Sequence, residues 1–446
     1  MIVLKNCTLV HLHPAEVRTG VDIRIEGTRI AAVGRAPLAN GQPAASAGAR
    51  TIDLAGRIVM PGLVCGHTHF YSALARGITA RIGPSLDFVS TLANLWWRLD
   101  RAIDREILRA SALVSAVEAI RAGCTAVIDH HASPSFIEGS LDVLKECFEL
   151  CGLRGILCYE TTDRNGLAGM EQGIGENARF AGLVDAESRT GGTGRLVEAM
   201  IGGHAPFTLT DEGLRGLGDL VGSTGRGFHV HAAEDSFDPS FAHRFHGKDL
   251  MARLDGFGLL ERPALVAHGL FLSPGDRQAM NGKSAVLAHN CRSNMNNSVG
   301  YNHALAGFHS VVLGTDGIGA DMLEEARTAY FKHRDAGGSL SPADFARFLQ
   351  NGNDIVSRCF GASFGRIQEG FTADLAVLDY VPPTPLVADN LAGHLVFAMA
   401  SAHVETVIVN GSIVMEGRSF PWDTEPAFAD AREQARRLWQ RMDEEH

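Results

Sequence analysis

Eight short apolar runs, each about the length of a strand, recur through the middle of the chain at residues 62–65, 125–129, 154–159, 197–201, 227–230, 264–267, 284–288 and 310–314. Runs that are apolar throughout, rather than alternating, suit strands buried on both faces of a parallel sheet. Longer helix-compatible stretches separate them. Eight such strands with intervening helices over about 300 residues have the size and rhythm of a (β/α)8 TIM barrel. The expected fold class is therefore α/β, with the barrel spanning 59–365.

The two ends of the chain read differently. Strand-like runs at 2–9, 21–25 and 29–33 are broken by Gly20, Gly27 and the stretch 37–48. A matching pattern returns at 372–380 and 404–414, with a turn at Asn410 and Gly411. Segments 1–58 and 366–420 are expected to build one small β-sandwich domain together. Residues 421–446 end the chain, and 425–444, rich in Ala, Arg and Glu, read as a solvent-facing helix.

Functional groups of a barrel stand where its strands end at the C-terminal face. Here those ends are marked by imidazole or carboxylate: His67 and His69 after the first strand, then Asp129, His130 and His131, then Glu160, His204, His231 with Glu234, His268, His289, and finally Asp316. An H-x-H pair alone is weak evidence, since 19 histidines in 446 residues give roughly one by chance. The chain has three. His11 and His13 fall in the small β-domain and are read as incidental. His67 and His69 share one face of a strand, so both imidazoles can reach one ion. His229 and His231 also share a face. His231 is assigned as the ligand because it opens the unit His231-Ala-Ala-Glu234, and His229 is expected one layer deeper, in the core. Three His and one Asp, His67, His69, His231 and Asp316, form a ligand set that suits Zn, with Fe as the alternative, and leaves a position open for water.

Several functions are excluded by composition. A formal net charge of -11, with no Lys/Arg-rich block, opposes nucleic-acid binding. No apolar run approaches the roughly 18 residues of a membrane span, and the first residues lack a secretory-signal pattern, so a cytoplasmic location is expected. Eight cysteines without a CxxC pair read as reduced thiols.

The segments MPGLVCGHTHF, HVHAAED, VAHG and VVLGTDG resemble, in order and spacing, the amidohydrolase superfamily, over nearly the whole chain. The branch looks like that of guanine deaminase, S-adenosylhomocysteine deaminase and the triazine hydrolases. LWWRLDRAI, IDHHASP and HNCRSNMNNSVG are most similar to SsnA-type aminohydrolases. The resemblance implies a single metal on His67, His69, His231 and Asp316, with Glu234 and His268 in the chemistry. It also implies roles: Asp316 as the base that takes the water proton, His268 stabilising developing charge, and Glu234 shuttling protons. Superfamily members with two metals usually carry a bridging lysine after the fourth strand, and 197–204 contains none.

His204 in GGHAPFTLT resembles a substrate-facing histidine of related deaminases. His130 and His131 lie outside the general pattern, so one is expected to face the pocket and one to pack outside. Glu160 and Arg164 after the third strand, with Asn290 and Asn294 after the seventh, are further candidates for substrate contact. Cys65 and Gly66 stand where many relatives carry Asn or Asp and a small residue, and FYSALARG departs from the relatives' next segment, so substrate identity does not transfer. The leading expectation is hydrolysis of a C–N bond in a small nitrogen heterocycle, purine-like, by deamination. Cyclic-amide ring opening and triazine-type dechlorination are alternatives, and a catalytically silent binding protein is a remote one. A homo-oligomer, dimer or larger, is expected.

Overall fold

The computed structural model describes residues 1–35, 50–189 and 194–444; the breaker stretch 37–48 lies outside them. All eight predicted core strands are present. In chain order they are Leu63–Thr68, Cys124–His131, Arg154–Tyr159, a fourth in two pieces, Val197–Ala199 and Ile201–Gly203, then Phe228–Ala232, Leu265–His268, Val286–His289 and Val311–Leu313. They pair in sequence order and in parallel, in two ladders. The fourth strand divides between them: Val197–Ala199 pairs with the third strand and Ile201–Gly203 with the fifth.

The far edges of the ladders also meet. Thr68 and Asp316 form an isolated parallel bridge, and the amides of Thr315 and Asp316 donate to the His67 carbonyl at 2.8 and 3.1 Å. Gly66 permits this approach, because a Cβ there would sit 2.7 Å from the Leu313 carbonyl oxygen. No continuous ladder closes the ring among the described residues.

Alternation along the strands sorts their side chains. Val64, Ala126, Ile128, Ile156, Cys158, Met200, Leu265, Ala267, Val286, Ala288 and Val312 form one buried cluster inside the array. Their alternates, such as Val127, Leu157, Val266 and Leu287, pack into the larger core shared with the surrounding helices. The same period of two carries His130 and Glu160 inward and turns His131 outward.

Strands from both chain ends pair in one eight-stranded sheet. Ile2–His11 pairs with Glu16–Glu26 on one side and, on the other, first with Arg50–Asp53 and then with Ile58–Pro61. Register shifts between Leu4 and Leu9 bend this strand enough to serve both partners. Ile58–Pro61 also pairs with Leu375–Leu378, so the sheet runs through Pro61, past the expected limit at 58. Val404–Val409 and Ser412–Met415 complete it around the anticipated turn, where Asn410 and Gly411 take φ of 53° and 74°.

A buried ion pair joins this sheet to the core strands. Arg154 Nε lies 2.9 Å from Asp374 Oδ2, each side chain 2% exposed, and the guanidinium stacks 4.7 Å from the Phe360 and Phe364 rings.

The terminal helix, Glu425–Glu444, is not free in solvent. Ala431, Ala435, Leu438 and Met442 recur at helical spacing and are buried, chiefly against Arg105–Arg121. Trp439 Nε1 donates to the Leu74 carbonyl at 2.9 Å, Arg441 Nε to that of Ala102 at 2.7 Å, and Arg98 donates to that of Met442. The helix thus braces the segment between the first core strand and Arg105–Arg121. No helix among the described residues is long and apolar enough to cross a membrane.

Removing one member of the Arg154–Asp374 pair leaves the other buried and uncompensated, at a typical cost of about 3–5 kcal/mol. Asp374→Ala is expected to lower the denaturant midpoint accordingly, with an unchanged slope. A loss below about 1 kcal/mol would show that the pair does not tie the two layers together.

Candidate active site

Four side chains from the first, fifth and eighth strands converge: the ligand-capable atoms of His67, His69, His231 and Asp316 all lie within 4.8 Å of one another. His69 Nε2 is 3.1 Å from His231 Nε2 and 2.9 Å from Asp316 Oδ1, and His67 Nε2 is 3.6 Å from that oxygen.

Ring protonation follows from the other nitrogens. Carbonyl oxygens only accept, so His69 Nδ1 donates to His130 O at 2.5 Å and His231 Nδ1 to His204 O at 3.0 Å. His67 Nδ1 meets His229 Nε2 at 2.9 Å. His229 Nδ1 faces the Cys158 sulfur at 3.6 Å, and that thiol donates to Asp129 O. The chain assigns a proton to Nδ1 of each ring and turns each Nε2 toward the shared point. Nδ1 anchoring of this kind is how proteins orient histidines toward a metal.

His67 Nε2 is buried with no hydrogen-bond partner in the protein. Burial pushes its pKa down to about 4, which keeps that ring neutral. Burial would also lower His69, but the hydrogen bond and charge of Asp316 override it and lift His69 to about 10. Burial alone would raise the Asp316 carboxyl, yet the hydrogen bond and charge of His69, with the other histidines close by, hold it well below the usual carboxylate range. A point that gathers a protonated His69 against a fixed carboxylate favours positive charge, and a divalent cation would replace that proton and take the three Nε2 lone pairs.

Glu234 and His268 stand beside this set. Glu234 Oε2 is 3.5 Å from His268 Nε2, and the two share a second close group with Asp316. Burial pushes the Glu234 carboxyl up to about 7. His268 Nδ1 donates to Asn294 Oδ1 at 2.8 Å, which leaves Nε2 toward the site without a protein partner. Ser293 Oγ donates to Asp316 Oδ2.

Three residues here hold left-handed backbone: Ala233 (φ 52°), His268 (φ 72°) and Asp316 (φ 52°). Non-glycine residues pay a local energy for this, typically at functional sites. At His268 it turns the side chain into the array against the strand's alternation. Ala233 is held by Asp238, whose Oδ2 accepts its amide at 2.8 Å, and this sets the turn that carries Glu234.

A cavity opens over these groups, with about 770 Å³ of empty space that includes its open mouth. His204 and Glu160 line it, as do His69, His231, Glu234 and Asp316. The other expected contact residues sit behind its wall. His130 is buried beneath the metal-capable set, its ring 4.7 Å from that of His231. His131 points outward to Ser133 Oγ at 2.8 Å. Arg164 stacks 4.7 Å from Trp97. Asn290 is buried beside Gly314, and Asn294 holds His268.

Sequence reasoning missed Tyr71, Trp97, Asp100, Phe207 and Asn297, all of which line the cavity. Trp97 and Asp100 belong to a helical insertion, 88–102, containing a π-helical turn at Leu92–Trp96. LWWRLD, with two adjacent tryptophans after the first strand, was the available signal.

Residues 58–414 match the model of the Amidohydrolase family. A 5-methylthioadenosine/S-adenosylhomocysteine deaminase of Pelotomaculum thermopropionicum is 29% identical, with 98% of each chain covered. Among solved structures, a zinc-bound adenosine deaminase of Xanthomonas campestris superposes with a TM-score of 0.83 at 23% identity, covering 98% of each chain. A zinc-bound atrazine chlorohydrolase of Arthrobacter aurescens gives 0.80 at 21%, covering 98% of this chain and all of its own.

Burial pushes the Asp238 carboxyl up to about 7. The folded protein therefore binds this proton at pH values where the unfolded chain has lost it, so stability is full below pH 4 and falls as pH rises through 7. Asp238→Asn removes the ionisation. Its unfolding free energy should fall less between pH 5 and 8 than that of the parent, by on the order of 2–4 kcal/mol. Parallel pH profiles would contradict this.

Proposed function

Because this chain belongs to the amidohydrolase family, we propose that it is a metal-dependent aminohydrolase that hydrolyses a C–N bond, other than a peptide bond, of a purine-like nitrogen heterocycle and releases ammonia. The observation that carries this reading is a buried acid, Glu234, paired with His268 and joined through Asp316 to the imidazole–carboxylate cluster beneath one cavity. Similarity to a deaminase along almost the whole chain supports it. We take the two strand ladders to form one closed (β/α)8 barrel. The Thr68–Asp316 bridge and the fold likeness to the solved deaminase support that view.

His67, His69, His231 and Asp316 would hold the ion, zinc first and iron as the alternative. A divalent ion there supplies an acidified water and a Lewis acid next to the reacting carbon.

The remaining steps fall to the chain itself. Asp316, with Oδ2 held by Ser293, turns Oδ1 toward the imidazoles of the metal set, where it would take the proton of the attacking water. Glu234 is buried enough to hold a proton near neutral pH and can deliver it to a ring nitrogen, then carry the second proton to the departing amine. His268, fixed by Asn294, steadies the charge that develops beside Glu234. His204 and Glu160 orient the ring from the third- and fourth-strand side.

The test is a panel of purines, nucleosides, pterins, cyclic ureides and chlorotriazines, incubated with zinc-loaded protein and assayed for ammonia. Ammonia release from a purine-like member is expected. Chloride release without ammonia, or ring-absorbance loss without ammonia, would replace deamination by dechlorination or ring opening. Asp316→Ala should lower kcat by at least about 10³-fold with the fold intact. Glu234→Gln should lower it about 10²- to 10⁴-fold while retaining bound zinc. An unchanged rate in either variant would remove its assigned role.

A further inference from the structure

One wall of the cavity offers buried acceptors that find no hydrogen-bond partner among the described residues. Asp100 and Glu160 both line it, are 2% and 3% exposed, and have Asp100 Oδ1 and Glu160 Oε2 buried without a hydrogen-bond partner. Buried carboxylate oxygens in this condition are costly unless something donates to them.

Their other oxygens are engaged. One guanidinium nitrogen of Arg164 lies 3.6 Å from Asp100 Oδ2 and 3.7 Å from Glu160 Oε1, and the same guanidinium is stacked on Trp97. Glu160 Oε1 also faces His204 Nε2 at 3.3 Å. The Thr208 hydroxyl donates to Ala205 O, so it must accept from His204 Nδ1 at 2.7 Å. His204 therefore keeps its proton on Nδ1, and a single further proton is shared between Nε2 and Glu160 Oε1. Whichever atom holds that proton, Glu160 Oε2 remains an acceptor. His130 Nδ1, 3.4 Å from it, does not reach hydrogen-bond geometry.

Acids dominate the ionisable groups that line the cavity, with His69 the cationic one. Asp100, Glu160, Glu234, Asp235, Asp238 and Asp316 line it, and among the described residues no Lys or Arg does. Arg164 lies behind Trp97 and is shared by the two acids.

We propose that Asp100 and Glu160 are the specificity-determining pair, and that the substrate presents at least two hydrogen-bond donors to them, from amino, ring N–H, hydroxyl or ammonium groups, and bears no anionic substituent. This rests on the reading that the cavity takes a nitrogen heterocycle. A carboxylate or phosphate at this wall would meet the like charge of Asp100 and Glu160, with Trp97 Nε1 as the unpaired donor on it. A protonated amine would gain charge-assisted bonds, which are about twice as strong as neutral ones.

The test uses three matched probes: 5′-amino-5′-deoxyadenosine, 5′-deoxyadenosine and adenosine 5′-carboxylate. Their Kd values for zinc-loaded protein are measured by calorimetry, separately from ammonia release. Affinity should fall in that order, by at least about tenfold from the amine to the carboxylate. Asp100→Asn and Glu160→Gln keep the shape of the wall and should compress the range to within about threefold, chiefly through weaker amine binding. Circular dichroism melts check that these variants fold, and the wild-type order stands on its own if they do not. Equal affinities, a preference for the carboxylate, or no binding by any probe would overturn the proposal. Turnover with a flat affinity order would overturn it while leaving the deaminase reading intact. The predicted order without ammonia release would do the reverse.

Discussion

An imidazole can offer a lone pair to a metal only when its other nitrogen carries the proton, and a site of three imidazoles must enforce that three times in a confined space. Here the enforcement is done by backbone carbonyls and one deeper ring. His130 O and His204 O fix His69 and His231, while His229, itself fixed through Cys158, fixes His67. Each anchor belongs to a different core strand from the ring it holds. The parallel array is therefore what defines the site: moving one strand by a residue would exchange inward and outward side chains and break the anchors.

Chemistry is arranged around this fixed point by departures from regular strand geometry. His268, the last residue of its strand, and Asp316, just past its own, enter through left-handed backbone, and Glu234 follows left-handed Ala233. Such conformations persist only where the surroundings over-determine them. Asp238 on the Ala233 amide, Asn294 on His268 and Ser293 on Asp316 are those surroundings. The terminal helix adds a support from further away, because it braces the segment from which Trp97 and Asp100 reach the cavity.

The parts of this arrangement legible in the sequence are those governed by strand periodicity. Apolar runs located the eight core strands, and the residues just beyond them located His67, His69, His231, Glu234, His268 and Asp316. The same period of two separates His130 from His131, once the second strand's register is known. Three features escaped. The insertion carrying Trp97 and Asp100 has no strand whose end could mark it. Asn290 and Asn294 lie after the correct strand, but whether such a residue faces the ligand or holds another side chain depends on where a short helix, Cys291–Asn296, begins. The terminal helix was read by its charge, although Ala431, Ala435, Leu438 and Met442 already formed an apolar stripe; small residues among many charges make a weak stripe that only the facing helix reveals.

The central claim is that three imidazoles and one carboxylate converge on a single ion. Zinc K-edge X-ray absorption on protein loaded with one equivalent of zinc addresses it most directly. The account predicts only nitrogen and oxygen scatterers at about 2.0–2.1 Å, with the multiple-scattering signature of about three imidazoles. A sulfur shell near about 2.3 Å, or a metal–metal vector of about 3.5–4 Å on adding a second equivalent, would contradict it.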